Sequence, residues 1–295
     1  MRDGDEEIWH AYERDLRARN LSRNTIENYR VTLSKLSGAL PRGLLDATPP
    51  QVSGWLAGLA GEHAPASAGT WFRRVRTFYG WAERMEYLDG PSPMARLRPP
   101  REGSRVTALP DPADIAAVLA ACRGKGFRDR RDLAIMRLML ETGTPRAAAI
   151  AALRRDQLDL RRDQVTVTDK GRRERVIPLG ARSAHALTLY LRARAGHPRA
   201  GQLPQLFLGR RGPMTRDGIY QVIAYRCGQA GVPVISPHKW RHFTADRWYD
   251  AGGSEGDAMA LYGWSAPAMA HRYAAAHADR RAADHARAAA LGDAI

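Results

Sequence analysis

Between Val165 and Leu179 the chain reads VTVTDKGRRERVIPL, with apolar and polar residues alternating in two arms about Lys170-Gly171. A period of two on either side of such a dipeptide is a β-hairpin signal, and it localises a small antiparallel sheet. Elsewhere the apolar residues recur at helical spacing. Trp9, Tyr12 and Leu16 mark a first helix, and Ser22 as N-cap opens a second through Ile26, Tyr29, Leu33 and Leu36. A third begins at Thr48 with Pro49 in its first turn and runs through Val52, Trp55 and Leu59. A fourth opens near Ser67 and carries Trp71, Phe72, Val75, Phe78, Tyr79 and Ala82.

The stretch from Gly90 to Pro110 holds Pro91, Pro93, Pro99, Pro100 and several Arg without periodicity, as a linker does. Asp111 or Asp114 then starts another helix, and LAIMRLMLETG from Leu133 is apolar enough for a buried helix ending at Gly143. After the hairpin, helical patterns span Arg182 to Arg194, Asp217 to Gly228 and Pro237 to the end, with AGG at 251–253 interrupting the last. The expected fold class is therefore mainly α with a small antiparallel β-sheet. A helical domain is expected over 1–92, a linker over 93–109 and an α+β domain over 110–295.

Charge narrows the partner. The net charge is +15, with 14 basic and 12 acidic residues in the first 100 and 32 against 19 thereafter. Clustered Arg gains affinity for polyanions by releasing counterions condensed on phosphates, so phosphate contacts are expected mainly in the C-terminal part. The competing reading is a solvated, Arg-rich surface. Only Cys122 and Cys227 occur, without metal-ligand spacing, which speaks against a disulfide framework and a zinc site. No apolar run reaches membrane-spanning length and the opening MRDGDEEIWH is acidic, so a cytoplasmic protein without membrane association is expected.

Four places carry potential chemistry. His238 and Arg241 in SPHKWRHFTADRW lie three apart, so on a helix both meet one anion from the same face. Arg146 follows the apolar helix, Lys170 sits at the hairpin tip, and Tyr273 lies nine residues after Trp264 in YGWSAPAMAHRY. Lys170 is distinctive because the chain has only four Lys among 46 basic residues. An amine can titrate and donate a proton where a guanidinium cannot. There is no GxxxxGK[ST] loop and no acidic cluster suited to two metals, which argues against an ATPase, a ligase or a metal-dependent nuclease.

Taken in order, these motifs resemble those of the tyrosine recombinase or phage integrase family over essentially the whole chain. ETGTPRAAAIAALRRDQLDL is similar to the family's first box, VTVTDKGRRERVIPL to its lysine hairpin, SPHKWRHFTADRWYDAGGSEGDAMALYGW to its second box, and HRY to its nucleophile motif. The helical N-terminal part, with SRNTIENYR, resembles the family's core-binding domain. Two departures stand out: Thr144 and Pro145 both separate the TG pair from Arg146, where one residue is usual, and Ala149 replaces an acidic residue. Pro145 also restricts the turn that delivers Arg146.

The resemblance implies a site-specific recombinase that cuts and rejoins DNA through a 3′-phosphotyrosine, with no metal or nucleotide cofactor. Tyr273 is the implied nucleophile, Arg146 and Arg241 clamp the phosphate, and Lys170 protonates the departing 5′ oxygen. His238 accepts the phenol's proton or orients the phosphate, and Trp264, standing where many relatives have His, donates one hydrogen bond and buttresses the nucleophile. Arg23, Asn24, Thr25, Tyr29, Arg73, Arg76, Arg172, Thr215 and Arg216 are candidate DNA contacts, with Tyr29 equally suited to the core. The implied partners are a double-stranded recombination site, three further copies in a tetramer on two sites, and accessory proteins. The implied use is integration or excision of a mobile element, or replicon resolution. The opening on core-binding helices implies the simple two-domain type, and the tail AAAHADRRAADHARAAALGDAI is expected to dock on a neighbouring protomer or in cis. A type IB topoisomerase, a telomere resolvase and a catalytically weak DNA-binding protein share these features.

Overall fold

A computed structural model describes residues 1–62, 65–100, 108–143, 147–168 and 174–290. The chain divides into two compact units, Met1–Arg105 and Val106–Ile295.

The first unit contains α1 (Asp3–Ala18), α2 (Arg23–Ala39), α3 (Pro49–Glu62) and α4 (Pro65–Arg84). Ser22 caps α2 by accepting from the Thr25 amide at 3.2 Å, satisfying one of the amides a helix start leaves open. The apolar stripes meet in one core: Trp9, Tyr12 and Leu16 from α1, Leu33 and Leu36 from α2, and Phe72, Val75 and Phe78 from α4 are all buried. One buried carboxylate ties the α2–α3 loop to this core. Asp5 accepts from Ser37 Oγ at 2.6 Å and from the Leu44 amide at 2.7 Å. The loop passes so close that a Cβ at Gly43, whose φ is +103°, would lie 2.8 Å from Asp5 Oδ1. Part of the stretch expected as linker also packs here: Met94 is buried in the core, and the Ser92 amide donates to Glu83 Oε1 at 3.1 Å. Its prolines block regular structure without preventing apolar contact.

The second unit holds α5 (Pro112–Ala120), α6 (Phe127–Thr142), α7 (Ala147–Ala152), β1 (Leu158–Asp159), β2 (Gln164–Thr168), β3 (Glu174–Pro178), α8 (Ala181–Ala195), α9 (Arg216–Gln229), α10 (Pro237–Asp250), α11 (Glu255–Tyr262), α12 (Pro267–Ala274) and α13 (Ala278–Ala289). α6 runs through its centre, packed by α8, α9 and α10, because Ala134, Ile135, Met136, Leu138 and Met139 leave it little polar face. A buried ion cluster joins it to α9: Arg226 meets Asp132 at 2.7 Å and Asp129 at 2.8 Å. The helix stops at Gly143, whose left-handed φ of +46° lets the chain leave without a Cβ penalty.

The sheet is antiparallel in the order β1-β2-β3, with Val165 opposite Ile177 and Val167 opposite Arg175. Strand alternation turns Val165, Val167, Arg175 and Ile177 inward. β1 was not anticipated, being too short to carry a periodic signal. The break expected at AGG 251–253 ends α10, but the further divisions are new: a left-handed Gly263 and a single 3-10 turn at Ala275–His277 separate helices that a composition rich in Ala blurs together. α13 is held in cis against α10, with Arg280 donating to both oxygens of Asp250 at 2.7 Å and Arg281 meeting Asp246 at 2.8 Å. None of its residues is buried.

Candidate active site

α10 brings the first functional side chains together. Ser236 caps it, Pro237 fits its first turn, and Trp240 anchors its inner face in the core at zero exposure. With Trp240 pointing inward, His238, Arg241 and His242 fall on the side facing α12. α11 then ends at Gly263 (φ +66°), a left-handed cap that turns the chain sharply enough to drop Trp264 beside α10. α12 restarts with Pro267 in its first turn and delivers Tyr273 to the same place.

The result is a stack under a cation. The Tyr273 and Trp264 rings lie 4.7 Å apart and 8° from parallel, and both residues are buried, at 3% and 4% exposure. The Arg241 guanidinium carbon sits 5.4 Å from the Tyr273 ring centre and 5.6 Å from that of Trp264. Arg241 Nη2 donates to the Tyr262 carbonyl at 3.0 Å, which fixes the guanidinium plane. His238 is exposed and its ring centre is 6.2 Å from that of Tyr273. His242, which the sequence reading did not single out, is closer at 4.2 Å. The two imidazoles meet through their Nε2 atoms at 3.0 Å.

Electrostatics keep both rings neutral at neutral pH. Desolvation where the rings pack, followed by the charges of Arg241 and Arg272, lowers His238, and the same desolvation, with His238 and these two Arg, lowers His242 to about 4. The indole N–H of Trp264 is buried with no hydrogen-bond partner among the described residues. Leaving such a donor unpaired costs about 1–3 kcal/mol.

Two further residues support the cluster and were not visible as such in the sequence. Tyr262 presents its carbonyl to Arg241, packs its ring 4.9 Å from Trp264 and 6.5 Å from Trp248, and donates its hydroxyl to the Thr244 carbonyl at 3.3 Å. A Cβ at Gly143 would lie 2.1 Å from its ring, so the end of α6 and the segment before Trp264 are in close contact. Arg175, at an inward position where alternation predicts an apolar residue, donates to the Leu261 carbonyl. That bond ties the sheet to α11.

Arg146, Lys170 and Arg172 lie outside the described residues. Of the other candidates, Arg23 and Asn24 are exposed at the start of α2, where Thr25 shares the Ser22 cap at 2.7 Å between hydroxyls. Tyr29 is half-buried with its ring edge-on to Tyr12 at 5.7 Å, so it contributes to the core. Arg73 is exposed and donates to Thr70 Oγ1 at 3.0 Å. Arg76 stacks 4.6 Å over Phe72 and donates to the Leu97 carbonyl, which engages it in packing of its own unit. Thr215 caps α9 by accepting from the Gly218 amide at 3.0 Å, and Arg216 beside it pairs with Asp217. Their exposure leaves both accessible to a polyanion.

Comparison with known proteins agrees with this architecture. Residues 111–280 match the model of the phage integrase family, and residues 10–86 match that of the phage integrase N-terminal SAM-like domain. The tyrosine recombinase XerC of Corynebacterium efficiens is 32% identical over 248 residues, covering 82% of this chain and 77% of its own. XerC of Myxococcus xanthus is 29% identical, with 85% and 87% covered. Among solved structures, the Tn1549 transposon integrase in complex with transposon right end DNA superposes with a TM-score of 0.74 over 96% of this chain and 99% of that one, at 17% identity. A lambda integrase dimer bound to a core site gives 0.72 at 17% identity, covering 91% and 94%. No helix among the described residues is long and apolar enough to cross a membrane.

Proposed function

The chain belongs to the phage integrase family, the tyrosine recombinases, and from that premise we propose that Tyr273 is the nucleophile of site-specific DNA strand exchange. One observation carries this reading: Tyr273, stacked on Trp264, lies under the Arg241 guanidinium and beside His238.

In the proposed step the Tyr273 oxygen attacks the scissile phosphorus as its proton passes to His238. The bond to the 5′ oxygen breaks, and Lys170 supplies the proton that makes it a hydroxyl. The product is a 3′-phosphotyrosine, whose phosphodiester energy is conserved. Attack by the 5′ hydroxyl of another strand therefore rejoins the DNA without ATP, with Tyr273 released and the protons returned. Arg241 and Arg146 balance the charge that grows on the non-bridging oxygens, as preorganised donors do most effectively. The unpaired Trp264 N–H adds a further donor for the phosphate.

The first unit serves as the core-binding domain, with Arg23, Asn24 and Arg73 as its DNA-facing candidates, while Thr215, Arg216 and Arg172 contact DNA from the catalytic domain. A lambda integrase tetramer has been solved bound to a Holliday junction. By that likeness four copies of this chain act on two sites, either moving a mobile element or resolving a replicon.

Incubation with a nicked suicide duplex carrying the recombination site is expected to yield an SDS-resistant protein–DNA adduct that Tyr273→Phe abolishes. No adduct on the proper site would refute the enzymatic reading. Exchange of flanks between two sites, as opposed to relaxation of one supercoil, separates a recombinase from a topoisomerase.

A further inference from the structure

α10 carries an imidazole that the step above does not use. His242 is buried at 3% exposure, one helical turn beyond His238, with its ring nearer Tyr273 than that of His238. Its one hydrogen-bond partner among the described residues is Nε2 of His238, at 3.0 Å.

Two imidazoles that meet nitrogen to nitrogen at this distance share one hydrogen. Two hydrogens would collide, and none would set lone pair against lone pair. Both rings are held neutral by their surroundings, so the tautomer of one dictates that of the other. If His238 donates from Nε2, its Nδ1 carries the lone pair; if it accepts at Nε2, its Nδ1 carries the hydrogen and cannot take another proton. Only the first arrangement lets His238 act as a base. In it, the imidazolium formed when Nδ1 takes a proton already points its Nε2–H at a lone pair of His242, a base oriented by a third group.

We propose that His242 is a positioning residue for strand cleavage: through the Nε2 contact it sets the tautomer and orientation of His238, while its ring holds one face of Tyr273. This rests on the reading of Tyr273 as nucleophile and His238 as its base.

The test uses the full-length protein and a nicked duplex of the sequence that the protein selects from a random duplex pool. His242→Leu keeps much of the volume and removes the bond. It is expected to slow adduct formation about 10- to 100-fold, a part of the 10²–10⁴ that a well-placed base supplies, with DNA affinity unchanged. His242→Gln keeps an amide that can accept the bond and recovers most of the rate. Among the described residues, the charged or titratable groups acting on the pair are Arg241 on α10 and Arg272 and Tyr273 on α12, all retained in both variants. Without an acceptor for its Nε2–H, the imidazolium of His238 is less stable, so the acid limb of the cleavage profile moves to lower pH in His242→Leu and stays in place in His242→Gln. ¹⁵N spectra of the ring nitrogens report the tautomer directly: one fixed Nε2–H form of His238 in the wild type, a mixture in His242→Leu.

Wild-type cleavage with an unmoved acid limb in His242→Leu overturns the inference. If that variant does not fold, a mixed or Nδ1–H tautomer of His238 in the wild type overturns it instead. Absence of any wild-type adduct would count against the nucleophile reading, not against this one.

Discussion

Two buried tyrosines invite comparison. Tyr12, in the N-terminal core, is surrounded by edge-on or tilted rings: Trp9 at 78°, Tyr29 at 86°, Phe78 at 74° and Trp81 at 46°. Burial and the neighbouring Tyr29 push its hydroxyl far above the ordinary value, so it stays a phenol and serves as a large apolar body. Tyr273 is as deeply buried, but it lies nearly parallel to one indole, under one guanidinium and against one neutral imidazole, with a second beyond. The residue type is the same; what differs is that a guanidinium and an imidazole lie against the Tyr273 ring, where the ring contacts of Tyr12 are to Trp, Tyr and Phe. Chemical competence therefore belongs to the surroundings.

The comparison breaks most sharply at the hydroxyls. Tyr273→Phe should remove the SDS-resistant adduct completely while leaving the melting temperature nearly unchanged, whereas Tyr12→Phe should leave adduct formation intact. Cutting into the first cluster should instead cost stability: Phe78→Ala is expected to lose about 3–5 kcal/mol in denaturant unfolding of the N-terminal unit. The rate of adduct formation per folded molecule should persist. Arg241→Ala should do the reverse, slowing cleavage roughly 10²–10³-fold, the scale of a lost charge-stabilising donor, as measured by single-turnover adduct formation. Trp264→Phe retains a stacking ring and removes the N–H. A loss of up to about tenfold in the same assay is expected, corresponding to one hydrogen bond.

The smallest effect is on pH dependence of stability. The folded pKa of His242 is pushed down to about 4 from an unfolded value near about 6.5, so below 6.5 the unfolded chain binds the extra proton first. Its contribution to stability is thus full above about pH 6.5 and is lost progressively as pH falls toward 4. His242→Gln should flatten that part of a melting-temperature profile, and an unchanged slope would show that the ring titrates freely in the fold.

Much of this architecture is legible in the sequence wherever one periodicity persists. The Ser22 cap, the Thr48-Pro49 start, the apolar α6 with its terminal Gly143 and the VTVT and RVIP arms all combine local preference with tertiary burial. The site is legible through spacing: His238 and Arg241 share a helix face, and Trp264 and Tyr273 meet across the turn that opens α12. Residues whose role comes from long-range contact leave no such trace. Arg175 looks like one more surface Arg until its strand turns it inward toward Leu261, and Tyr262 looks like ordinary filler until Gly143 and Arg241 close on it. His242 does leave a signal, since i and i+4 share a helix face as surely as i and i+3, and it stands four residues after His238.

Gly143 lies directly against the Tyr262 ring, and it acts as a machining tolerance. A single methyl group there would demand that the Tyr262 ring retreat by more than about 1 Å to regain ordinary contact. Tyr262 cannot retreat alone, because its carbonyl holds Arg241 and its ring abuts Trp264. The clearance of one hydrogen atom at the end of α6 is thereby geared to the alignment of the cation over the phenol.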